Sequence, residues 1–362
     1  MYRFIEECKS RLGFDNIGEQ QQQRQREREH QRRRESNRQS QSGQRDSGVT
    51  QLQRLLTRLR SVLRRDVVRS APFWILPFLL VGLFVYGAII WNILLSLTDF
   101  AGLGEPDYST LDFENYIIAF TGGTPSWSSL SIEPIWNATQ NTIALMIGFA
   151  VVCLILGLVL AILVDRKIRF ENTIRTIYLL PMSLSFVVTA KFWLYMYNPQ
   201  TGLINIALQA VGIGPVRIVQ NPQLKLAAVA FALVWQFSGY AMIVYLAALR
   251  GIPSSHFEAA RVDGASTVQM YRRVIIPQLR TATVSALVVI TVFALKAFDF
   301  LFSMYSGYQP GPSADILATR MVREAYANQN WAYGSTIAVV LFLMALFIVG
   351  PYLYSQYRRG DL

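Results

Sequence analysis

The chain is poor in the residues that most soluble enzymes depend on. It has two histidines and two cysteines among 362 residues, and only 16% of its residues are charged. His30 and His256 stand far apart, so no metal-ligand cluster is read from the sequence. Cys8 lies near the N-terminus and Cys153 inside an apolar run, an arrangement that reads poorly as a disulfide. No phosphate-cradling Gly-Lys-Ser/Thr loop occurs, which excludes ATP hydrolysis by the usual P-loop route and points to no cofactor. Long apolar stretches carry almost no acid. Asp299 is the one carboxylate within them, whereas an intramembrane enzyme needs paired acids or histidines. No internal repeat is evident, which weighs against a self-contained ion-coupled secondary transporter. The first apolar run starts only near residue 71, so no cleavable signal peptide is expected.

What is present is apolar, at 52% of residues, beside a net charge of +11 concentrated in the first 70 positions. Residues 1–50 are mostly a Gln, Arg, Glu and Ser tract that buries too little apolar surface to offset its ordering entropy, and disorder is expected there. Over residues 51–70, Leu52, Leu55, Leu56, Leu59, Val62 and Leu63 recur at helical spacing, with Arg54, Arg58, Arg60, Arg64 and Arg65 among them. That pattern predicts an amphipathic helix suited to the headgroup region, with membrane lipid rather than nucleic acid as its partner.

Residues 71–362 form the membrane body. A span needs about 20 apolar residues, each adding about 1.5 Å across a core about 30 Å thick. Six runs qualify: 73–97, 142–164, 173–197, 226–249, 283–305 and 335–354. The predicted fold class is therefore all-α and integral to the membrane, with about six spans. Pro181 is expected to kink the third. Basic residues crowd the loops after the second and fourth spans, including Arg166, Lys167, Arg169, Arg272, Arg273 and Arg280. The first intervening loop holds Asp99, Glu105, Asp107, Asp112, Glu114 and Glu133 with no Lys or Arg. The positive-inside rule then places both termini in the cytoplasm of a multi-pass plasma-membrane protein, although Arg217, Arg320 and Arg323 fall in loops assigned outside.

The loop at 250–280 is patterned too regularly for a linker. Pro253 favours a helix start, and Ser255 with Glu258 has capping-box spacing. Gly264 supplies a left-handed helix stop, and Ser266 with Gln269 repeats the capping box for a second helix closed by Pro277. The prediction is a helix–turn–helix at the cytoplasmic face.

Glu258-Ala259-Ala260, Asp263-Gly264-Ala265, Val274 and Ile276-Pro277 resemble the EAA loop of binding-protein-dependent ABC importer permeases. Asn141-Thr142, Leu180-Pro181, Trp235-Gln236, Lys296 to Asp299 and Trp331 to Ser335 extend the resemblance to the carbohydrate branch, the maltose and glycerol-phosphate type. The resemblance runs from about Ala71 to Arg359 and leaves the basic tail without a role. It implies a type I importer permease with a cytoplasmic coupling helix, not itself an enzyme. It also implies a second permease as heterodimer partner, two ATP-binding ATPase subunits and an extracellular solute-binding protein. The substrate implied is a sugar, with glycerol-phosphate or another small polar solute as the alternative. On this resemblance Glu258 contacts the ATPase, Ala259 and Ala260 permit close approach, and Gly264 allows the bend, with Asp263 and Pro277 completing the motif. Substrate-path candidates are Asn141, Trp235, Gln236, Tyr240, Lys296 and Asp299. Lys296 and Asp299, three apart, are read either as lining the path or as a neutral pair that fixes packing. Lys191 is expected to snorkel outward.

Overall fold

The structure is a computed structural model that describes residues 70, 72–129, 131–165 and 171–359. The predicted tail, the amphipathic segment up to residue 69, and Arg166, Lys167 and Arg169 lie outside the described residues. The chain divides into two units, residues 1–86 and 87–362.

Apolar runs of more than 20 residues dictate long helices. Pro72–Leu95 (α1), which contains a π turn at Gly82–Tyr86, belongs partly to each unit. Within the second unit, Glu114–Thr121 (α2) precedes Trp136–Asp165 (α3). Then come Glu171–Leu179 (α4), Phe186–Met196 (α5), Leu203–Ala210 (α6) and Pro222–Arg250 (α7). Ser254–Val262 (α8) and Thr267–Gln278 (α9) lead to Arg280–Leu295 (α10), Phe298–Tyr305 (α11) and Leu317–Val322 (α12). Trp331–Arg359 (α13) closes the fold. Among the described residues there is no strand, only a bridge between Gly123 and Ile132. The start of α7 illustrates the local logic. Asn221 caps it by accepting from the Gln223 amide at 3.0 Å, and Pro222 occupies a first-turn position where a missing donor does no harm.

Four helices, α1, α3, α7 and α13, are long and apolar enough to cross a membrane, and the number is six if each of two bent pairs counts as one span. The third and fifth predicted spans differ from expectation. The run 173–197 is two helical pieces, Asn172–Ser183 and Phe186–Met196, that meet at 100°. Pro181 sits in a 3₁₀ turn at Leu180–Ser183, and Ser185 then caps a new helix by accepting from the Val188 amide at 3.3 Å. This is a complete break, larger than the kink a proline alone gives. The run 283–305 likewise ends at Leu295 and restarts at Phe298, while α9 and α10 meet at 66°.

The largest buried cluster lies among α3, α5, α7, α10 and α11, around Phe149, Leu233, Ile290 and Phe300. Lipid tails are as apolar as these side chains, so close van der Waals fit rather than water exclusion holds the helices together. Small residues permit that fit. A Cβ built on Gly157 of α3 would lie 2.3 Å from the Ala241 Cβ on α7. A Cβ on Gly239 would lie 2.0 Å from the Tyr178 carbonyl oxygen, at the bent span. Gly239→Ala is expected to cost about 1–3 kcal/mol through forced backbone movement. Gly148→Ala, where a Cβ meets nothing within 4 Å, should stay close to wild type, and thermal unfolding midpoints of the purified variants check the contrast.

Candidate functional site

The 250–280 loop folds as two short helices joined by a tight stop. At the end of α8 the Gly264 amide donates to the Arg261 carbonyl at 3.0 Å and the Ala265 amide to the Ala260 carbonyl at 3.0 Å. That pairing is a Schellman motif with Gly264, at φ 75°, as its left-handed residue. The next helix opens on the expected capping box: the Gln269 amide donates to Ser266 Oγ at 3.3 Å, and the Ser266 amide to Gln269 Oε1 at 2.9 Å. The predicted Ser255–Glu258 box is absent. Pro253 occupies the cap position of α8, no side chain caps it, and Ser255 falls inside the first turn. α9 also carries a π turn at Tyr271–Ile275, which leaves Arg272 and Arg273 exposed while Ile275 is buried.

The motif residues divide between two faces. Ala260 is 5% exposed and packs with Phe257, Met270 and Ile275 against the ends of α3 and α7. Its small size serves the chain's own core, a correction to its expected outward role. Glu258, Ala259, Asp263, Gly264 and Pro277 are exposed. Val262 and Val268 lie beside them at 87% and 75% exposure, an apolar pair that sequence reasoning did not single out. Glu258 makes no hydrogen bond or ion pair among the described residues.

The residues expected along a substrate path divide as well. Gln236 is buried and donates Nε2 to the Leu184 carbonyl at 2.8 Å. That carbonyl is freed by the break between α4 and α5, and in a membrane a freed backbone group needs such a partner. Gln236 Oε1 is buried without one. Trp235 is half-buried and stacks on Phe192, with centroids 5.6 Å apart and planes at 18°, while meeting Trp193 edge-on. Tyr240 is half-buried on the same helix. Lys296 and Asp299 are both exposed, but Lys296 caps the end of α10 and Asp299 lies in the first turn of α11. The helix between them is broken and no ion pair joins them, so the packing-pair alternative does not hold in this structure.

Asn141 has a structural task. Its Nδ2 donates to the carbonyls of Pro312 and Asp315, both at 2.8 Å. It is one of several polar side chains that hold the segment 306–316, at the end of the bundle opposite the 250–280 loop. Asn137 donates to the Pro312 carbonyl at 2.6 Å and Lys225 to the Pro310 carbonyl at 2.7 Å. Lys191 donates to Ser306 Oγ at 3.2 Å. Arg323 forms a forked pair with Asp315, at 2.7 and 3.1 Å, and Thr319 donates to the same carboxylate at 2.7 Å. Arg320 donates to the Glu133 carbonyl and stands 3.8 Å from Glu324. Arg320 and Arg323, which clouded the charge rule, are thus matched by local acids.

At the same end, the carboxylates of Asp99, Asp112 and Glu114 come together, their oxygens within 4.8 Å of one another. Burial pushes the Asp99 carboxyl above the ordinary range, and the charges of Asp112 and Glu114 add to the rise. A search for His and Cys spacing passes over such a cluster, because folding of the loop rather than local spacing assembles it.

Residues 153–359, which include the whole 250–280 loop and all helices from α4 to α13, match the family described as binding-protein-dependent transport system inner membrane component. The chain belongs to this family. It is a multi-pass permease of an ABC importer, with the helical fold its sequence predicts. Among its relatives is the xylose/arabinose import permease XacH of Haloferax volcanii, 52% identical over 84% of this chain and 93% of the relative. A probable ABC transporter permease of Pyrococcus horikoshii is 45% identical over 80% of this chain and 96% of its own length. In fold, the permease is similar to a chain in the crystal structure of a bacterial ABC transporter that imports the acidic polysaccharide alginate. That match has a TM-score of 0.68 at 21% identity and covers 83% of this chain and 99% of the other.

Proposed function

We propose that this permease carries a small sugar of the pentose class inward, handed over by an extracellular solute-binding protein. A second permease completes the path, and two separate ATPase subunits dock beneath the 250–280 loop. The reading of substrate rests on one observation, the 52% identity to a protein named as a xylose/arabinose import permease over 93% of that protein's length. Both termini then face the cytoplasm, with the matched arginines Arg320 and Arg323 outside. Glu258, Ala259 and Asp263 face the motor, and Val262 supplies apolar contact. Trp235, Tyr240, Lys296 and Asp299 remain the substrate-path candidates, while Asn141 and Gln236 act by holding the segments that shape the path. The clamped segment 306–316 is a rigid surface for the binding protein. Alternating access is a rocking of the two permease halves about a cavity between them.

The test is reconstitution of the permease with its neighbouring permease, ATPase and binding protein in proteoliposomes. ATP-dependent uptake of labelled xylose or arabinose is expected, with glycerol-phosphate as the competing substrate. Sugar transport by the purified chain alone without ATP would remove the proposal.

A further inference from the structure

A small polar cavity of about 100 Å³ opens at the 250–280 end of the bundle, between the first turn of α10 and the last turns of α13. Arg280, Thr281, Val284, Tyr352, Ser355 and Gln356 line it. Its charge is of one sign. Arg280 is exposed, makes no hydrogen bond or ion pair among the described residues, and has no acid beside it in the lining.

The opposite wall is ordered. The hydroxyls of Ser285 and Tyr352 lie 3.0 Å apart, and Gln356 Nε2 donates to the Tyr352 hydroxyl at 3.2 Å. The other end of that amide, Oε1, is buried with no partner. Turning the amide over sets a donor where Oε1 now stands and makes the Tyr352 hydroxyl donate to Gln356. Because Ser285 Oγ already donates to the Thr281 carbonyl at 3.0 Å, the wall then presents N–H to an anion at the cost of one of its own hydrogen bonds. Depth in the membrane also fits. Tyr354 and Tyr357, on neighbouring turns of α13, are 60% and 73% exposed, and Arg358 lies over the Tyr354 ring at 5.3 Å. Exposed tyrosines at the end of a spanning helix mark headgroup level.

We infer that this cavity binds the phosphate group of an anionic membrane lipid, held by Arg280 and the Gln356 amide with the acyl chains running up the bundle past Val284. A volume equal to about three waters accepts a phosphate. It leaves little room for a quaternary ammonium, which the guanidinium would also repel.

The experiment is native mass spectrometry of the full-length chain taken from nanodiscs of equal parts phosphatidylglycerol and phosphatidylcholine. Retained phosphatidylglycerol is expected to exceed phosphatidylcholine. Arg280→Gln should cut that retention about tenfold, the worth of one charge-assisted contact. Gln356→Leu should weaken it less. Arg358→Gln, the same charge change outside the cavity, should leave it unchanged. Excess inorganic phosphate tests the source: displacement of the lipid assigns the cavity to free phosphate, and persistence assigns it to the lipid. Equal losses in Arg280→Gln and Arg358→Gln would reduce the effect to diffuse attraction and overturn the site, as would no loss in Arg280→Gln.

Discussion

Replacing Asp315 by alanine is expected to destabilise the permease by about 3–5 kcal/mol, the usual cost of removing one member of a buried ion pair. The Asp315 side chain is 9% exposed and that of Arg323 is 15% exposed. Without the carboxylate, Arg323 keeps one hydrogen bond, to the Tyr308 carbonyl at 3.2 Å, and its charge stays largely out of water. Thr319 loses one of its two acceptors at the same time and keeps the Ile316 carbonyl at 2.8 Å. The penalty comes from a guanidinium left with no paired carboxylate, only the charges of Glu324 and Glu133 nearby, more than from the lost attraction. Asp315→Leu combined with Arg323→Met should therefore be milder than Asp315→Ala alone, because it removes both charges and keeps the volume. Thermal unfolding of the two variants in detergent checks the ranking. A single variant within about 0.5 kcal/mol of wild type, the range of ordinary surface substitutions, would show that the pair does not anchor the 306–316 segment.

That segment also shows where reading the sequence reached its end. Asn141 and Lys191 were legible as polar residues in or beside apolar runs, and a polar residue in a span reads as functional by default. Their partners are carbonyls and a hydroxyl more than 100 positions away, at Pro312, Asp315 and Ser306, and no local spacing reveals those. The six apolar runs were legible because span length follows from bilayer thickness. The breaks inside two of them were masked by the same apolar character. Ser185 and Asp299 were the available signs. A serine beyond a proline turn caps a new helix, and an acid in a first turn favours a helix start. The 250–280 loop was the most legible part. Glycine, proline and the Ser266–Gln269 pair act through local backbone chemistry that needs no distant partner. Two readings of the loop failed: the Ser255–Glu258 box, because Pro253 takes the cap position and Ser255 falls inside the first turn, and the outward role of Ala260, because α8 presents one face to the ends of α3 and α7.

Glu258→Lys is expected to abolish ATP-driven uptake while the chain remains folded in the membrane. Glu258 is exposed and unbonded within the described chain, so its reversal should change stability by no more than about 0.5 kcal/mol. Any large loss must then arise at a surface that meets another subunit. A charge-assisted hydrogen bond contributes about 1.5–3 kcal/mol, so losing it weakens association roughly 10- to 100-fold, and reversing the charge adds repulsion to that loss. Gly264→Pro attacks the same handle from the backbone. Proline locks φ near −65°, where this residue has 75°, and it removes the amide that donates to Arg261. The Schellman stop is lost and α8 no longer holds its exposed face in place, although the spans on either side are untouched. Both variants should co-purify poorly with the ATPase and give background uptake in proteoliposomes. Gly264→Ala, which keeps the amide and meets only the left-handed strain of about 1–2 kcal/mol, should fall between them and wild type. Wild-type ATPase capture and uptake in Glu258→Lys would mean that force enters the permease somewhere other than this loop.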